Sequence, residues 1–231
     1  MQIVILLGGL ATRLRPITEK IPKALIKING IPFIDYQLKY LKKQGMTNIL
    51  LCTGFLSDQV VDYVGNGSRY GLKVIYSNDG ENLLGTGGAI KNAATHLNDD
   101  FFILYGDSFL PIMFNPIYNK FKQKNFPALM TIIENNNQWD KSNIIFDGKK
   151  IILYDKKKHS DQMNYIDYGL SICKKNIFTK MTDNIFDLAE IFNSLSKKNQ
   201  LDFYTANNRF YEIGSQQGIE DFSKFALRES L

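Results

Sequence analysis

Residues 3–16 read IVILLGGLATRLRP, and this stretch sets the fold class of the chain. Its opening run, Ile3 to Leu7, is continuously apolar, which is typical of a strand buried on both faces of a parallel sheet. Gly8 and Gly9 then let the backbone approach a ligand and present N–H groups to an anion. Arg13 can place a planar set of donors on phosphate oxygens. We expect a phosphate-binding loop here, and the alternative is a tight turn with surface arginines.

Outward from this stretch, predicted strands and helices alternate over the first half of the chain. Apolar runs predict strands at Asn48–Thr53, Leu72–Tyr76 and Phe101–Tyr105. Helical spacing of apolar residues predicts helices at Ile34–Lys43, Ser57–Val64 (with Ser57 as its N-cap) and Gly88–His96. The alternation implies an α/β fold: an open, mostly parallel, Rossmann-like twisted sheet flanked by helices. Ligands bind outside the carboxyl ends of such strands, where Gly8-Gly9 and Gly106-Asp107 both lie.

The second half of the chain is less regular and predicts a smaller, β-rich part. Its expected strands are Ala128–Glu134, Ser142–Phe146, Lys150–Tyr154 and Tyr168–Cys173, and its expected helix is Ile185–Ser194. Asp147-Gly148 predicts a hairpin turn, and a second hairpin is expected from Phe203–Ala206 and Arg209–Glu212 around Asn207-Asn208. No linker, repeat or low-complexity tract interrupts the sequence, so we expect one domain over residues 1–231.

Composition narrows the possible partners. The net charge of +5 and the pI near 9.0 suit phosphorylated small molecules as well as nucleic acid. The lysines are scattered and no aromatic–basic interleaving occurs, so no nucleic-acid partner is expected. Cys52 and Cys173 lack metal-site spacing, which predicts buried free thiols in a reducing compartment. No apolar stretch approaches a membrane span or a signal sequence, so we expect a cytoplasmic protein without a membrane partner.

Two familiar phosphate-binding motifs are excluded. The loop after Leu7 contains no GKS or GKT, so it is not a Walker P-loop, and it does not read GxGxxG. The glycine-rich stretch at 85–90 lacks a third glycine at the dinucleotide spacing and follows no obvious strand. These absences argue against a nicotinamide-dependent oxidoreductase, which is one alternative reading of the sheet.

Four segments together resemble the sugar-1-phosphate nucleotidyltransferase family. They are LLGGLATRLRPITEKIPKALI at 6–26, LGTGGAI at 84–90, YGDSF at 105–109 and FYEIGS at 210–215. Their order and spacing agree with the family from residue 3 to about residue 220. The short chain is similar to the small single-domain members, including heptose 1-phosphate guanylyltransferases that serve surface polysaccharide synthesis.

The resemblance implies a nucleoside triphosphate and a sugar 1-phosphate as partners, with Mg²⁺ as cofactor. On the nucleotide side, in about residues 1–110, it implies the residues Leu7, Gly8, Gly9, Thr12, Arg13, Gly85 and Gly88. On the sugar-phosphate side, in about residues 111–231, it implies Asn143, Lys156, Asp167 and Gly169. Asp107 and Glu212 would bind the metal, and the catalytic residues would be Arg13, Lys23 and Asp107.

The sequence departs from the family pattern at two places: Glu212 stands where aspartate is usual, and Ser215 where threonine is usual. Glutamate also binds hard cations, with a longer arm. The nucleophile would be a phosphate monoester, largely dianionic at neutral pH because its second pKa is about 6, so no general base is required. Accordingly, we assign no catalytic role to His96 or His159.

Some questions stay open in the sequence. The nucleobase (guanine, cytosine, uracil or thymine) and the sugar are not specified. A non-catalytic nucleotide-sugar-binding or regulatory module on the same fold is the main alternative to an enzyme. A homodimer is expected only from the general frequency of dimers.

Overall fold

The computed structural model describes residues 1–80 and 82–231. The strands are β1 Gln2–Leu6, β2 Lys27–Ile28, β3 Ile31–Pro32, β4 Asn48–Thr53, β5 Lys73–Asn78, β6 Asp100–Tyr105, β7 Ser108–Phe109, β8 Ala128–Glu134, β9 Ile144–Phe146, β10 Ile151–Tyr154, β11 Tyr165–Lys174, β12 Leu201–Thr205 and β13 Tyr211–Glu212. The α-helices are α1 Phe33–Lys43, α2 Ser57–Val64, α3 Gly85–Asn92, α4 Phe114–Gln123, α5 Asn176–Thr179, α6 Leu188–Lys197 and α7 Gln216–Arg228.

One mixed sheet forms the centre of the molecule. Its parallel part runs β5-β4-β1-β6, and β11 continues it antiparallel to β6. The chain leaves β1 for β4 on one side and returns to β6 on the other, so the strand order reverses between β1 and β6. A crevice forms outside the carboxyl ends of the strands at such a switch point. The expected fold class, a mostly parallel sheet flanked by helices, is confirmed.

β1 is buried on both faces, as its continuous apolar run predicts. Ile3 and Ile5 join the apolar cluster that contains Leu38 of α1, whereas Val4 joins the cluster on the opposite face with Ile90 of α3. All three β1 side chains are inaccessible to solvent. The strand that carries the glycine loop is therefore fixed from both sides, which holds the loop in place.

The predicted hairpin at residues 203–212 is wrong. β12 instead pairs parallel with β8 in the main sheet, and β13 pairs antiparallel with β7 in a separate two-stranded sheet. Local turn residues at 207–208 indicate a bend, but they do not determine which distant strand each segment joins. The actual pairing sets Glu212 opposite Ser108, next to Asp107.

The helices differ from expectation in one cap and in several bounds; α6, for example, begins three residues later than expected, at Leu188. Ser57 does not cap α2; its hydroxyl donates to Thr53 Oγ1 at 2.8 Å, and Leu56 is the residue before the helix. α3 begins three residues earlier than expected, at Gly85, and ends at Asn92, where a separate 3₁₀ turn follows. The Asp147-Gly148 turn is confirmed, since β9 and β10 are antiparallel neighbours. Cys52 and Cys173 are buried free thiols.

The main sheet takes strands from both predicted halves of the chain. The assignment of residues 1–231 to one domain stays a prediction, as does the division of labour between its halves. In the described part of the chain, every helix is too short or too polar to cross a lipid bilayer.

Candidate active site

Two cavities open beside the carboxyl ends of β1 and β6. The first, about 350 Å³, is lined by residues that include Leu7, Gly8, Gly9, Lys23, Asp79 and Gly85. The second, about 380 Å³, is lined by residues that include Arg13, Asn143, Lys156, Asp167, Gly169 and Glu212. Tyr105 and Asp107 line both cavities. Molecules bound in the two cavities would therefore meet at the end of β6.

The turn after β6 has room only for glycine. A Cβ at Gly106 would collide with the side chain of Leu7 and lie 2.7 Å from the Leu6 carbonyl oxygen. Gln37 of α1 supports the same turn, because its Nε2 donates to the carbonyl oxygens of Tyr105 at 3.1 Å and Ser108 at 2.7 Å. These contacts fix the backbone on both sides of Asp107.

Asp107 is held between two elements. Its Oδ2 accepts a hydrogen bond from Lys23 Nζ at 2.8 Å, and its Oδ1 accepts one from Ser108 Oγ at 3.3 Å. Its backbone oxygen accepts from the Ile213 N–H at 2.8 Å, which joins it to the β13 segment. The side chains of Lys23 and Asp107 are 18% and 27% exposed, so the ion pair can still exchange partners with a ligand.

Glu212 reaches the same place from the other end of the chain. Burial raises the pKa of its carboxyl, the neighbouring Asp107 and Asp140 raise it further, and Arg13 and Lys23 oppose the rise. Arg13 Nη2 and Glu212 Oε1 both lie beside Gly214, 2.8 Å and 3.7 Å from the position a Cβ there would occupy. A bound cation would stabilise the ionised form of Glu212, which burial and the neighbouring carboxylates disfavour.

The donor set fits a divalent ion that ligands help to hold. Among the described residues, no group of three or more aspartate, glutamate, histidine or cysteine side chains is arranged to bind a metal. A pair of carboxylates is nevertheless what a hard cation uses when phosphate oxygens and water complete its coordination. Asp107 and Glu212 are such a pair, and both line the second cavity.

The second cavity contains a buried polar network. Asn143 Oδ1 accepts from the Asp167 N–H at 3.0 Å, and Asp167 Oδ1 accepts from the Gly169 N–H at 2.9 Å. Gly169 has φ +93°, and the β11–β8 register shifts between Asp167 and Ser171. Irregularities of this kind turn side chains out of a regular strand, and they are common beside active sites.

Lys156 connects this network to β6. Its Nζ lies 3.8 Å from Asp167 Oδ2 and 4.9 Å from the centre of the Tyr105 ring. Burial would lower the pKa of Lys156, but the neighbouring Tyr105 and Asp167 outweigh burial and raise it. The amine therefore stays cationic at neutral pH, in the second cavity beside Tyr105, which lines both cavities.

Three predicted residues lie elsewhere than expected. Arg13 lines the second cavity and not the first, and Thr12 is exposed in a 3₁₀ turn and lines neither. Gly88 also lines neither cavity: it is buried, and a Cβ there would collide with the carbonyl oxygen of Asn184. Gly88 thus allows α3 to pack against the segment that precedes α6.

Replacing Gly88 with alanine is therefore expected to reduce stability more than activity. The added methyl would displace the backbone at Asn184, and overpacking of this kind costs about 1–3 kcal/mol, which exceeds the gain in helix propensity. Thermal unfolding should show Tm lowered by roughly 3–9 °C. Gly9→Ala is the matched control, since a Cβ at Gly9 has nothing within 4 Å. An unchanged Tm for Gly88→Ala would refute the packing role.

The structure brings in cavity residues that the sequence analysis did not assign. Asp79 and Asp187 line the first cavity, and Asp140 and His159 line the second. His159 Nδ1 lies 3.2 Å from the Ser142 carbonyl oxygen, so the ring is part of the cavity wall. The sequence does carry an indication for Asp79, because Asp79 directly follows a parallel strand, as Gly106 does.

The structure combines a parallel sheet, a glycine loop after its first strand, and two acidic residues, of which Asp107 lines both cavities and Glu212 lines the second. The family model described as nucleotidyl transferase matches residues 2–227, and the chain belongs to this family. The resemblance drawn from the four motifs is confirmed.

Two similar relatives share a more specific description than the family as a whole. The chain is 28% identical over 229 residues to the D-glycero-alpha-D-manno-heptose 1-phosphate guanylyltransferase of Campylobacter jejuni, covering 98% of this chain and 99% of that protein. It is 31% identical over 182 residues to the protein of the same description from Aneurinibacillus thermoaerophilus, covering 77% and 76%. The crystal structure of HddC from Yersinia pseudotuberculosis complexed with GMP-PN shares the fold, with a TM-score of 0.79, 24% identity, and 97% and 98% coverage.

Proposed function

We propose that the chain condenses a nucleoside triphosphate with a sugar 1-phosphate, giving a nucleotide-activated sugar and pyrophosphate. The observation that carries the proposal is the shared wall: two cavities of similar size meet at Tyr105 and Asp107. The triphosphate occupies the first cavity, beside Gly8 and Gly9, and the sugar phosphate occupies the second. The reacting phosphorus then lies between them.

The residues at this junction address the main obstacle, which is repulsion between two anions. Lys23 reaches the junction from the first cavity, and Arg13 and Lys156 reach it from the second. Cationic groups already held in place stabilise the charge of the transition state without reorganisation. The attacking phosphate oxygen is already ionised at neutral pH, so positioning replaces proton abstraction as the task of the protein.

We assign the divalent ion to Asp107 and Glu212, and we propose Mg²⁺. When bound, the ion supplies Lewis-acid polarisation of phosphate oxygens and neutralises their charge. Asp107, which pairs with Lys23 at 2.8 Å, would then be shared between the lysine and the ion. Lys23 could then bind Asp107 and a phosphate oxygen at the same time. The lysine is thus held within reach of the phosphates before they bind.

The relatives favour a particular pair of substrates. Those from Campylobacter jejuni and Aneurinibacillus thermoaerophilus are both described as heptose 1-phosphate guanylyltransferases. We propose GTP as the triphosphate and a heptose or related hexose 1-phosphate as the acceptor, in the synthesis of a surface polysaccharide.

The direct experiment is a pyrophosphate-release assay with a panel of triphosphates and sugar 1-phosphates, in Mg²⁺ and in EDTA. The expected result is release that requires both substrates and stops in EDTA. The same protein should be tested for nucleotide binding by thermal shift. Binding of a nucleotide without pyrophosphate release from any pair would favour the non-catalytic binding module instead.

Lys156→Gln tests which substrate binds in which cavity. We expect the KM for the sugar 1-phosphate to rise roughly 10-fold or more, since a charge-assisted contact with phosphate is lost. The Kd for the triphosphate should stay within about twofold. Lys157→Gln is the control, because Lys157 pairs with Glu190 and does not line the second cavity. A selective loss of triphosphate binding in Lys156→Gln would reverse the cavity assignment.

A further inference from the structure

Asp79 lies in the wall of the first cavity, away from the reacting centre. It directly follows β5, and its N–H donates to the Thr53 carbonyl oxygen at 2.9 Å, so the backbone is fixed. Its Oδ2 points toward the glycine loop, 3.2 Å from the position a Cβ on Gly8 would occupy. The proposed reaction takes place beside Lys23 and Asp107, at the other side of the cavity, and Asp79 has no part in it.

The second oxygen of this carboxylate lacks a donor among the described residues. Asp79 Oδ1 is buried, and none of the residues in 1–80 and 82–231 donates a hydrogen bond to it. Burial raises the pKa of Asp79, and the backbone N–H of Leu84 opposes the rise. A buried acceptor without a donor is costly to the folded protein, and a ligand that brings donors removes that cost.

The surroundings of Asp79 suit a flat, mostly apolar ligand. Leu7, Leu83 and Ala89 line the same cavity and offer apolar contacts for the faces of a ring. Leu83 is 39% exposed, so part of its apolar surface is open to a ligand. A cavity with apolar walls and a few fixed polar groups is typical of a site that selects its ligand by the polar edge.

The chemistry of a carboxylate restricts which nucleobase fits. An ionised aspartate accepts hydrogen bonds through both oxygens and donates none. Guanine presents two adjacent donors on its pairing edge, the N1–H and the 2-amino group. Uracil and thymine present one N–H between two carbonyl oxygens, which a carboxylate repels, and adenine and cytosine present an amino group beside a ring-nitrogen acceptor. Guanine is the base whose edge complements both oxygens.

We propose that Asp79 selects guanine by accepting from the N1–H and the 2-amino group of the bound nucleotide. This inference rests on the proposed function, because it requires the triphosphate to bind in the first cavity. It adds what the family membership leaves open, namely the residue that chooses the base. Asp79 is a specificity residue, since it contacts the base and not the reacting atoms.

The test compares GTP with ITP, which lacks the 2-amino group, and with dTTP. Dissociation constants are measured calorimetrically on the whole chain, with Mg²⁺ and without a sugar phosphate. The wild type should bind GTP roughly 10- to 100-fold more tightly than ITP, the range expected for loss of one hydrogen bond to a charged acceptor, and bind dTTP more weakly still. Asp79→Asn should lose most of the preference for GTP over ITP. Asp58→Asn, the same change on the exposed side of α2, should keep it.

Each outcome decides the proposal. Equal affinity of the wild type for GTP and ITP would overturn it without any variant, so the test survives even if Asp79→Asn does not fold. An undiminished GTP preference in a folded Asp79→Asn variant would also overturn it. Pyrophosphate release by the wild type is measured in parallel. If Asp79→Asn loses the preference for GTP over ITP but the wild type releases no pyrophosphate, the role of Asp79 is supported and the proposed reaction is refuted. If the wild type releases pyrophosphate but Asp79→Asn keeps the preference for GTP, the reaction is supported and the role of Asp79 is refuted.

Discussion

Asp107→Asn is expected to lower turnover roughly 10³-fold while the protein stays folded. The change keeps the shape of the side chain but removes the charge that pairs with Lys23 and faces the divalent ion. Because the pair is partly exposed, the loss of stability should be about 1 kcal/mol or less. The measurement is kcat from pyrophosphate release, with Tm recorded for the same preparation.

Asp100→Asn provides a closely matched control. Asp100 lies at the opposite end of β6 and also pairs with a lysine, Lys122, at 3.1 Å. Removal of its charge disturbs a similar ion pair on the same strand, far from the cavities. We expect near-normal kcat for this variant. Near-normal kcat for Asp107→Asn as well would remove the metal-binding role from the account.

Lys23→Gln is expected to have the second largest effect, with kcat lowered roughly 10²-fold or more. Two negatively charged phosphates must approach each other at the end of β6, and Lys23 is the lysine that lines the first cavity there. Loss of its charge should affect kcat more than the KM for the triphosphate, since the repulsion is greatest in the transition state. Steady-state kinetics with each substrate varied would separate the two parameters.

The control for Lys23→Gln is Lys122→Gln, the partner of Asp100. The four variants form two equivalent pairs, one at each end of β6. If Lys23→Gln changed only the KM for the triphosphate, Lys23 would be a binding residue and not a stabiliser of the reacting centre.

Local sequence predicts the strands that are buried on both faces well. Asn48–Thr53 and Ala128–Glu134 agree residue for residue with β4 and β8. These strands are buried on both faces, and a continuous apolar run with polar or glycine residues at its ends records that burial directly. The glycine loop and Asp107 follow from the same pattern, because they stand at the ends of such runs.

Pairing between distant segments is what the sequence does not show. β13 is two residues long, and its partner β7 lies about a hundred residues away along the chain. Nothing local at Tyr211-Glu212 distinguishes that partner from a hairpin with the preceding residues. The position of Glu212 beside Asp107 depends on this pairing, so the sequence alone supports it only through the family resemblance.

The glycines at 85–88 show how one residue type can serve two purposes. A Cβ at Gly85 or Gly87 would collide with Phe186, and one at Gly88 with Asn184, so all three pack closely against that segment, while Gly85 also lines the first cavity. A glycine required for close packing and one required for ligand approach are identical in sequence. Ser215, which stands where threonine is usual, has a local role: its hydroxyl caps α7 by accepting a hydrogen bond from the Gly218 N–H at 3.1 Å.

The central claim is that Asp107 and Glu212 bind the same divalent ion. Mn²⁺ binding, followed by electron paramagnetic resonance with a non-hydrolysable triphosphate present, reports that ion directly. We expect one bound Mn²⁺ in the wild type, and affinity lowered at least about tenfold in both Asp107→Asn and Glu212→Gln. The double variant should lose little more than either single variant, because two ligands of one ion are not independent. Wild-type Mn²⁺ affinity in either single variant, or fully additive losses in the double variant, would contradict the account.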